Sequence, residues 1–157
     1  MQIKYPTVEA LSRLKAWCDR QERCHQEVRD KLKSWGYFSH DAEQFIAQLI
    51  EDNYLNEERF ARAYVSGKYR IKKWGRRKII AELCKKNISN YCIKVGLKEI
   101  DEEEYLQNLT SLITKKNIQW KRLDAFARKG KVARFCINKG YEPEMVWRIL
   151  EEDTGVV

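Results

Sequence analysis

A pattern of apolar residues occurs three times in this chain of 157 residues, in segments 28–46, 79–97 and 132–150. Shifting the first segment by 51 and by 104 residues superimposes six positions of each copy. The three sets are Val28, Leu32, Gly36, Tyr37, Ala42 and Ile46; Ile79, Leu83, Asn87, Ile88, Ile93 and Leu97; and Val132, Cys136, Gly140, Tyr141, Val146 and Leu150. Self-similarity at a spacing of about 50 residues predicts one structural unit repeated along the chain.

Each copy predicts a helix, a tight turn and a second helix. Apolar residues four apart form one stripe of a helix. Gly and Asn, which tolerate the left-handed conformation that closes a helix, then follow at Gly36, Asn87 and Gly140. A large apolar residue comes next in every copy, where a Schellman motif places its apolar contact. The second helix then begins near Ser39, Asn90 and Pro143, which we predict as N-caps or first-turn residues.

A further helix precedes each pair, over residues 7–23, from the N-cap Asn56 to about residue 73, and from Asp101 onward. Asp101 and Glu104 have the spacing of a capping box, with Asp101 as the predicted N-cap and the Glu104 side chain predicted to reach back to it. The sequence therefore predicts an all-α fold of about nine helices in three tandem three-helix repeats, 1–55, 56–100 and 101–157. Because such units bury their apolar faces against one another, we expect an elongated, curved, right-angled array. Residues 115–129, with mixed charges, are the expected linker.

Composition excludes several classes of protein. The 7 glycines and 2 prolines are few for an all-β fold, and no apolar run approaches the roughly 20 residues of a membrane span. The N-terminus lacks the apolar stretch of a signal peptide, so we expect a cytoplasmic protein. The five cysteines have irregular spacing, and Cys24 beside His25 lacks a second ligand pair. We therefore expect buried thiols and no metal.

The net charge of +8 comes from the middle of the chain. Residues 56–100 hold 13 basic and 4 acidic side chains, whereas the flanking thirds are nearly balanced. Residues 68–78, which we call the basic segment, hold seven cations and no acid. Since self-repulsion at this density is unfavourable without a polyanion or an acidic partner, the basic segment predicts a nucleic-acid interface.

The candidate interface residues lie in and just before the basic segment. On a helical wheel Phe60, Tyr64, Gly67, Ile71 and Trp74 form the predicted apolar stripe, which assigns Tyr64 and Trp74 to the core. Tyr69, on the polar side, is the predicted stacking residue for single-stranded bases. The full set is Arg59, Arg62, Lys68, Tyr69, Arg70, Lys72, Lys73, Arg76, Arg77 and Lys78.

No catalytic motif supports an enzyme. Phosphate-binding loops, dinucleotide-binding glycines, the nucleophile elbow and zinc-protease motifs are all missing from the sequence. His25 and His40, the only imidazoles, lie in polar stretches and are predicted to be exposed. We therefore assign no catalytic residue, cofactor or metal. A metal-dependent nuclease stays open as an alternative, because one sequence does not show whether carboxylates from separate elements converge.

Residues 53–89 resemble the most recognisable segment of the bacterial RecX family. The shared elements are Tyr54-Leu55, Glu57-Glu58, Arg59-Phe60-Ala61, Gly75 to Ile79 and Glu82-Leu83. Segments 21–37 and 131–150 resemble the family's first-unit signature and its third-unit ending. The chain departs from the family pattern at Cys24, where Ser is common, and at Asn87, where Gly is common.

The resemblance implies three tandem three-helix units and a regulatory function. RecX proteins bind the filament of the recombinase RecA on single-stranded DNA, suppress its ATPase and strand exchange, and promote filament disassembly. We expect RecA filaments and single-stranded DNA as partners, with little sequence preference, and a monomer that binds no membrane. The alternative is a helical DNA-binding protein that acts without RecA.

Overall fold

The computed structural model describes residues 2–154, a range that contains nine α-helices and no strand. The helices are α1 (Thr7–Arg20), α2 (His25–Ser34), α3 (Ser39–Glu51), α4 (Glu57–Arg70), α5 (Arg76–Lys85), α6 (Asn90–Leu97), α7 (Glu102–Gln119), α8 (Ala125–Asn138) and α9 (Pro143–Thr154). The predicted all-α class is confirmed. None of these helices has the length and apolarity that crossing a membrane requires.

The three predicted helix closures are present. Gly36, Asn87 and Gly140 have φ angles of 92°, 59° and 102°. After α2, the Tyr37 N–H donates to the Leu32 carbonyl (2.9 Å) and the Gly36 N–H to the Lys33 carbonyl (3.1 Å). The same two bonds follow α5 and α8, so each turn is a Schellman motif. The apolar residues after the turns, Tyr37, Ile88 and Tyr141, are buried.

The predicted helix starts are confirmed, except for half of one capping box. Ser39, Asn90 and Pro143 are first residues of their helices. The Asn56 side chain accepts the Arg59 N–H at 2.9 Å. The Asp101 side chain likewise accepts the Glu104 N–H at 2.8 Å.

The prediction that Glu104 reaches back to Asp101 is wrong. The Asp101 N–H instead donates to the Tyr69 hydroxyl at 3.4 Å. The Tyr69 hydroxyl also lies 3.3 Å from the Glu104 carboxylate, which is therefore turned toward α4. A contact from a distant helix replaces the local one.

Helix lengths differ from the predictions at three places. α1 ends at Arg20 and α4 at Arg70, each three residues earlier than the apolar spacing indicated. The predicted linker, residues 115–129, is mostly helical because α7 continues to Gln119 and α8 begins at Ala125. The Asp124 carboxylate caps α8 by accepting the Ala127 N–H at 2.9 Å. The mixed charges of this stretch thus lie on two helices and a short turn.

The chain divides into two compact units. Unit 1 contains residues up to 63 with Leu83–Gly96, and unit 2 contains Tyr64–Glu82 with the residues from 97 onward. The division passes through α4 and α5, whereas the sequence repeats divide the chain between helices. The partition into three repeats stays a prediction.

Each unit has its own apolar core. The core of unit 1 includes Ala10, Leu14, Val28, Leu32, Phe45, Ile46, Leu49 and Leu55. In the same unit, a Cβ at Gly96 would lie 2.9 Å from the Ala61 carbonyl oxygen, so only glycine permits this approach of α6 to α4. Buried residues of unit 2 include Tyr69, Ile79, Tyr105, Leu109, Ile113, Val132, Cys136, Tyr141 and Val146.

Two glycines of unit 2 should respond in opposite directions to alanine. A Cβ at Gly67, inside α4, has no atom within 4 Å, so Gly67→Ala should stabilise the protein by about 0.5–1 kcal/mol. A Cβ at Gly140 would lie 2.6 Å from the Lys78 backbone nitrogen, at a φ of 102°. Gly140→Ala should therefore destabilise by about 2–5 kcal/mol. Urea unfolding measures both changes, and a Gly140→Ala variant as stable as the parent would contradict the close approach at this turn.

Candidate nucleic-acid interface

The basic segment occupies the end of α4, the turn that follows and the first turn of α5. α4 ends at Arg70, and Lys73 in the turn that follows adopts a left-handed conformation with φ 57°. The Trp74 N–H then donates to the Lys68 carbonyl at 3.0 Å, which folds the turn back onto the end of the helix. The cations are therefore distributed over one compact helix–turn–helix.

This turn is hydrogen-bonded to the turn between α8 and α9, within unit 2. The Gly75 N–H donates to the Lys139 carbonyl (2.8 Å) and the Arg77 N–H to the Gly140 carbonyl (2.9 Å). The Tyr141 hydroxyl donates to the Lys73 carbonyl at 2.8 Å. A Cβ at Gly75 would collide with the Gly140 backbone. We call these bonds the turn–turn contact; it fixes the backbone of the basic segment at three points.

The Arg76 side chain forms its contacts within unit 2. Its side chain is 20% exposed and forms ion pairs with Glu142 (3.1 Å) and Glu102. Its backbone N–H donates to the Tyr105 hydroxyl at 2.9 Å, and that hydroxyl donates to Glu142 at 2.5 Å. The guanidinium also lies 4.1 Å from the centroid of the Tyr105 ring. The two carboxylates therefore offset the cation at the start of α5, where the helix dipole disfavours it.

Burial and the neighbouring carboxylates set the charge states of Arg76 and Tyr105. Partial burial acts to lower the pKa of Arg76, but the hydrogen bond to Glu102 and the charge of Glu142 outweigh it, so this pKa is raised. Burial, with the hydrogen bond to Glu142, raises the pKa of Tyr105 well above its ordinary value. Tyr105 is therefore a neutral hydroxyl that relays hydrogen bonds between Arg76 and Glu142.

The prediction that Tyr69 faces solvent is wrong. Tyr69 is fully buried, and its hydroxyl donates to the Glu99 carbonyl at 3.1 Å. The buried face of α4 contains Phe60, Ala61, Val65 and Tyr69. The predicted apolar stripe runs through residue 74, although the helix ends at Arg70. A stacking role for Tyr69 is therefore excluded by its burial.

Three residues of the predicted apolar stripe are less buried than predicted, because the stripe continues past the end of the helix. Ile71 is 79% exposed because it follows the end of α4. Tyr64 and Trp74, predicted to lie in the core, are only half-buried. Both rings lie beside cations: the Lys68 ammonium is 5.2 Å from the centroid of Tyr64 and 4.8 Å from that of Trp74. The Lys78 ammonium is 4.3 Å from the Trp74 centroid.

The remaining cations of the basic segment differ in their partners. Arg70 is exposed and donates to the Tyr69 hydroxyl (2.9 Å), with Glu104 at 3.6 Å. The Lys73 ammonium donates to Asn108 at 3.3 Å. Lys72 and Arg77 are exposed, and within residues 2–154 neither side chain has a hydrogen bond or ion pair. Lys72 and Arg77 are thus the cations most available to an external polyanion.

Arg59 and Arg62 belong to unit 1. Arg59 donates to the Glu22 carboxylate at 2.6 Å and to the Asn53 carbonyl at 3.0 Å. Arg62 forms an exposed ion pair with Glu58, one helical turn earlier, at 2.8 Å. Both have partners within their own unit, which makes them weaker candidates than Lys72 and Arg77.

The cysteines and histidines form no site in the described part of the chain, which contains no group of three or more metal-ligating side chains. All five cysteines are free; Cys84 is exposed and the other four are buried. His40 is exposed as predicted, whereas His25 is half-buried, and burial lowers its pKa. The prediction of an exposed His25 is therefore wrong.

Comparisons with known proteins agree with one another. The model of the RecX second three-helix domain matches residues 56–97, and that of the third three-helix domain matches residues 102–150. The regulatory protein RecX of Bacillus cereus (strain B4264) is 26% identical over 132 residues, which are 84% of this chain and 49% of that protein. The RecX of Clostridium botulinum (strain Alaska E43) is 30% identical over 136 residues, 85% of this chain and 63% of that protein.

Two solved structures share the fold. The crystal structure of RecX from Lactobacillus salivarius has a TM-score of 0.79 at 20% identity, over 92% of this chain and 94% of that one. A second crystal structure, of a regulatory protein RecX, has a TM-score of 0.83 at 20% identity, over 92% of this chain and 72% of that one. The chain spans about half the length of the Bacillus relative.

Substitution of Arg76 and substitution of its neighbour Arg77 should change the stability of the protein by different amounts. Arg76→Gln removes both ion pairs and leaves Glu142 without its cation, so it should destabilise the protein by about 1–3 kcal/mol. Arg77→Gln changes an exposed side chain and should alter stability by less than about 0.5 kcal/mol. Urea unfolding of the two variants checks this division, and equal losses would contradict it.

Proposed function

Since the chain belongs to the RecX family, we propose that it binds the RecA filament on single-stranded DNA and inhibits RecA ATPase and strand exchange. The observation that carries the proposal is the match to two consecutive RecX domains, which together cover more than half of the chain. The basic segment lies inside the first of these matches. A regulator of this kind acts as a monomer in the cytoplasm, by binding and without a cofactor.

The physical support is the state of the cations in the basic segment. The side chains of Lys72 and Arg77 have no hydrogen bond or ion pair in the described residues, and the ammonium groups of Lys68 and Lys78 lie beside aromatic rings. Phosphates would therefore displace few existing ion pairs. The turn–turn contact also orders the backbone before binding, which lowers the entropic cost of forming the complex.

The proposed contact is with the DNA backbone. Lysine and arginine contacts to phosphates position a protein but carry no sequence information. The proposal thus expects little sequence preference, whereas a sequence-specific DNA reader would prefer one duplex. It also expects no DNA cleavage with Mg²⁺ or Mn²⁺, which a nuclease would catalyse.

A titration into the cognate RecA tests the proposal. Hydrolysis of ATP by RecA on single-stranded DNA should fall at well below one copy of this protein per RecA, because one bound regulator affects a whole filament. Inhibition that begins only when the protein outnumbers the free DNA sites would indicate competition for DNA. No inhibition would contradict the proposal and favour a DNA-binding protein that acts without RecA.

The double variant Lys72→Ala/Arg77→Ala should weaken filament binding and flatten its salt dependence. Loss of two phosphate contacts should reduce the slope of log K against log salt by about 1.4, at about 0.7 per contact on a single strand. The matched control is Lys33→Ala/Lys94→Ala, which removes two exposed cations of unit 1. An unchanged slope in the first variant, or the same reduction in the control, would exclude these two residues as phosphate contacts.

A further inference from the structure

A second cationic surface lies in unit 2, on the turn before α8 and on α8 itself. Residues 120–134 contain six cations and a single acid, Asp124. Asp124 accepts the Ala127 N–H and thus caps α8. The cations are Lys121, Arg122, Arg128, Lys129, Lys131 and Arg134. We call this the α8 surface; the proposed function assigns it no role.

Most of these cations have no side-chain partner among the residues that the structure describes. Lys121, Arg122, Lys129 and Arg134 have no side-chain hydrogen bond or ion pair within the described range. Arg128 donates to the Leu123 carbonyl at 3.1 Å, and the Lys131 ammonium lies 4.5 Å from the centroid of Trp120. The α8 surface therefore has uncompensated positive charge, which favours an anionic ligand.

An exposed aromatic ring lies among these cations. Phe126 is 91% exposed, the most exposed of the large apolar side chains in the described residues. It lines a groove of about 490 Å³ with Trp147 and Leu123, which are 38% and 39% exposed. Lys129, Lys131 and Arg134 line the same groove. A cluster of exposed apolar side chains rimmed by polar residues is typical of an interaction site.

A second groove adjoins the first at Lys129. Its volume is about 510 Å³, and its lining includes Lys121, Arg128 and Ile118, of which Ile118 is 64% exposed. Lys129 lines both grooves. The two grooves therefore adjoin each other at Lys129, and both are lined by cations and apolar groups.

We infer that the α8 surface binds single-stranded nucleic acid, with a base stacked on Phe126 and phosphates on the surrounding cations. A single strand combines planar bases with a regularly charged backbone. The bases can stack on the exposed ring, and the phosphates can contact the cations. Duplex DNA keeps its bases paired inside and leaves Phe126 without a partner. The carboxylates of an acidic protein segment would pair with the cations but include no planar ring that stacks on Phe126. The inference rests on the proposed function, to which it adds a second contact with the strand.

The test compares Phe126→Ala with the unaltered chain in binding a fluorescent oligothymidine and an abasic oligonucleotide of equal length and charge. Phe126→Ala should bind oligothymidine roughly 5- to 100-fold more weakly, since one stacked base is lost. It should bind the abasic strand as the unaltered chain does. The matched control is Leu106→Ala, which truncates another exposed apolar residue of unit 2 and should change neither affinity.

Three results would overturn the inference. They are a lack of binding to oligothymidine by the unaltered chain at low salt, an unchanged affinity in Phe126→Ala, and equal losses with both oligonucleotides. If Phe126→Ala loses RecA inhibition while its oligothymidine affinity stays unchanged, the α8 surface contacts a protein. Failure of the proposed function is distinguishable: the unaltered chain would then not inhibit RecA, although Phe126→Ala still weakened oligothymidine binding.

Discussion

The turn–turn contact is the interaction on which the candidate interface depends. Gly75 and Gly140 have no Cβ, so the two backbones approach closely enough for the N–H groups of Gly75 and Arg77 to reach the Lys139 and Gly140 carbonyls. The Tyr141 hydroxyl adds a third bond, to the Lys73 carbonyl. These bonds determine where α5 begins and so which of the neighbouring cations face inward. The geometry of the interface thus follows from a contact that involves no charge.

One consequence is that seven cations with similar sequence surroundings have different roles. Arg76 is mostly buried against Glu102, Glu142 and the Tyr105 ring, and it stabilises the fold. A buried cation needs such partners because its desolvation is unfavourable. Lys72 and Arg77 have no comparable partners in the described residues. Charge density in the sequence identifies the basic segment, but the packing decides which of its members are available to a ligand.

Much of the fold could be predicted from the sequence because the repeat is marked by conformation as well as hydrophobicity. Gly36, Asn87 and Gly140 occupy the same turn position in three copies, and all three have the left-handed conformation. The failure at Tyr69 has a physical reason: α4 ends at Arg70, and the left-handed residue in the turn that follows is a lysine, Lys73, a residue type that gives no signal of a helix end. Because the helical wheel continued past Arg70, it included Ile71 and Trp74 in the apolar stripe and assigned Tyr69 to the polar side.

The α8 surface is hidden in the sequence analysis for a different reason, the length over which charge is summed. Residues 101–157 hold ten basic and ten acidic side chains, so their summed charge is zero. Acids at the start of α7, among them Glu102 and Glu104, pair with Arg76 and Arg70, whereas the cations of residues 121–134 have few partners. The two groups are already separate along the sequence, but a sum over the whole repeat hides that separation. Charge summed over a repeat cannot predict a surface that a single helix presents.

Lysine footprinting tests the central claim, that the basic segment contacts the filament, most directly. The chain is labelled with an amine-reactive reagent, alone and with the RecA filament on single-stranded DNA, and each lysine is quantified by mass spectrometry. Lys72, exposed in the free chain, should become protected, while Lys33 and Lys94 of unit 1 keep their labelling. Unchanged labelling of Lys72 under conditions in which the filament is bound would contradict the claim.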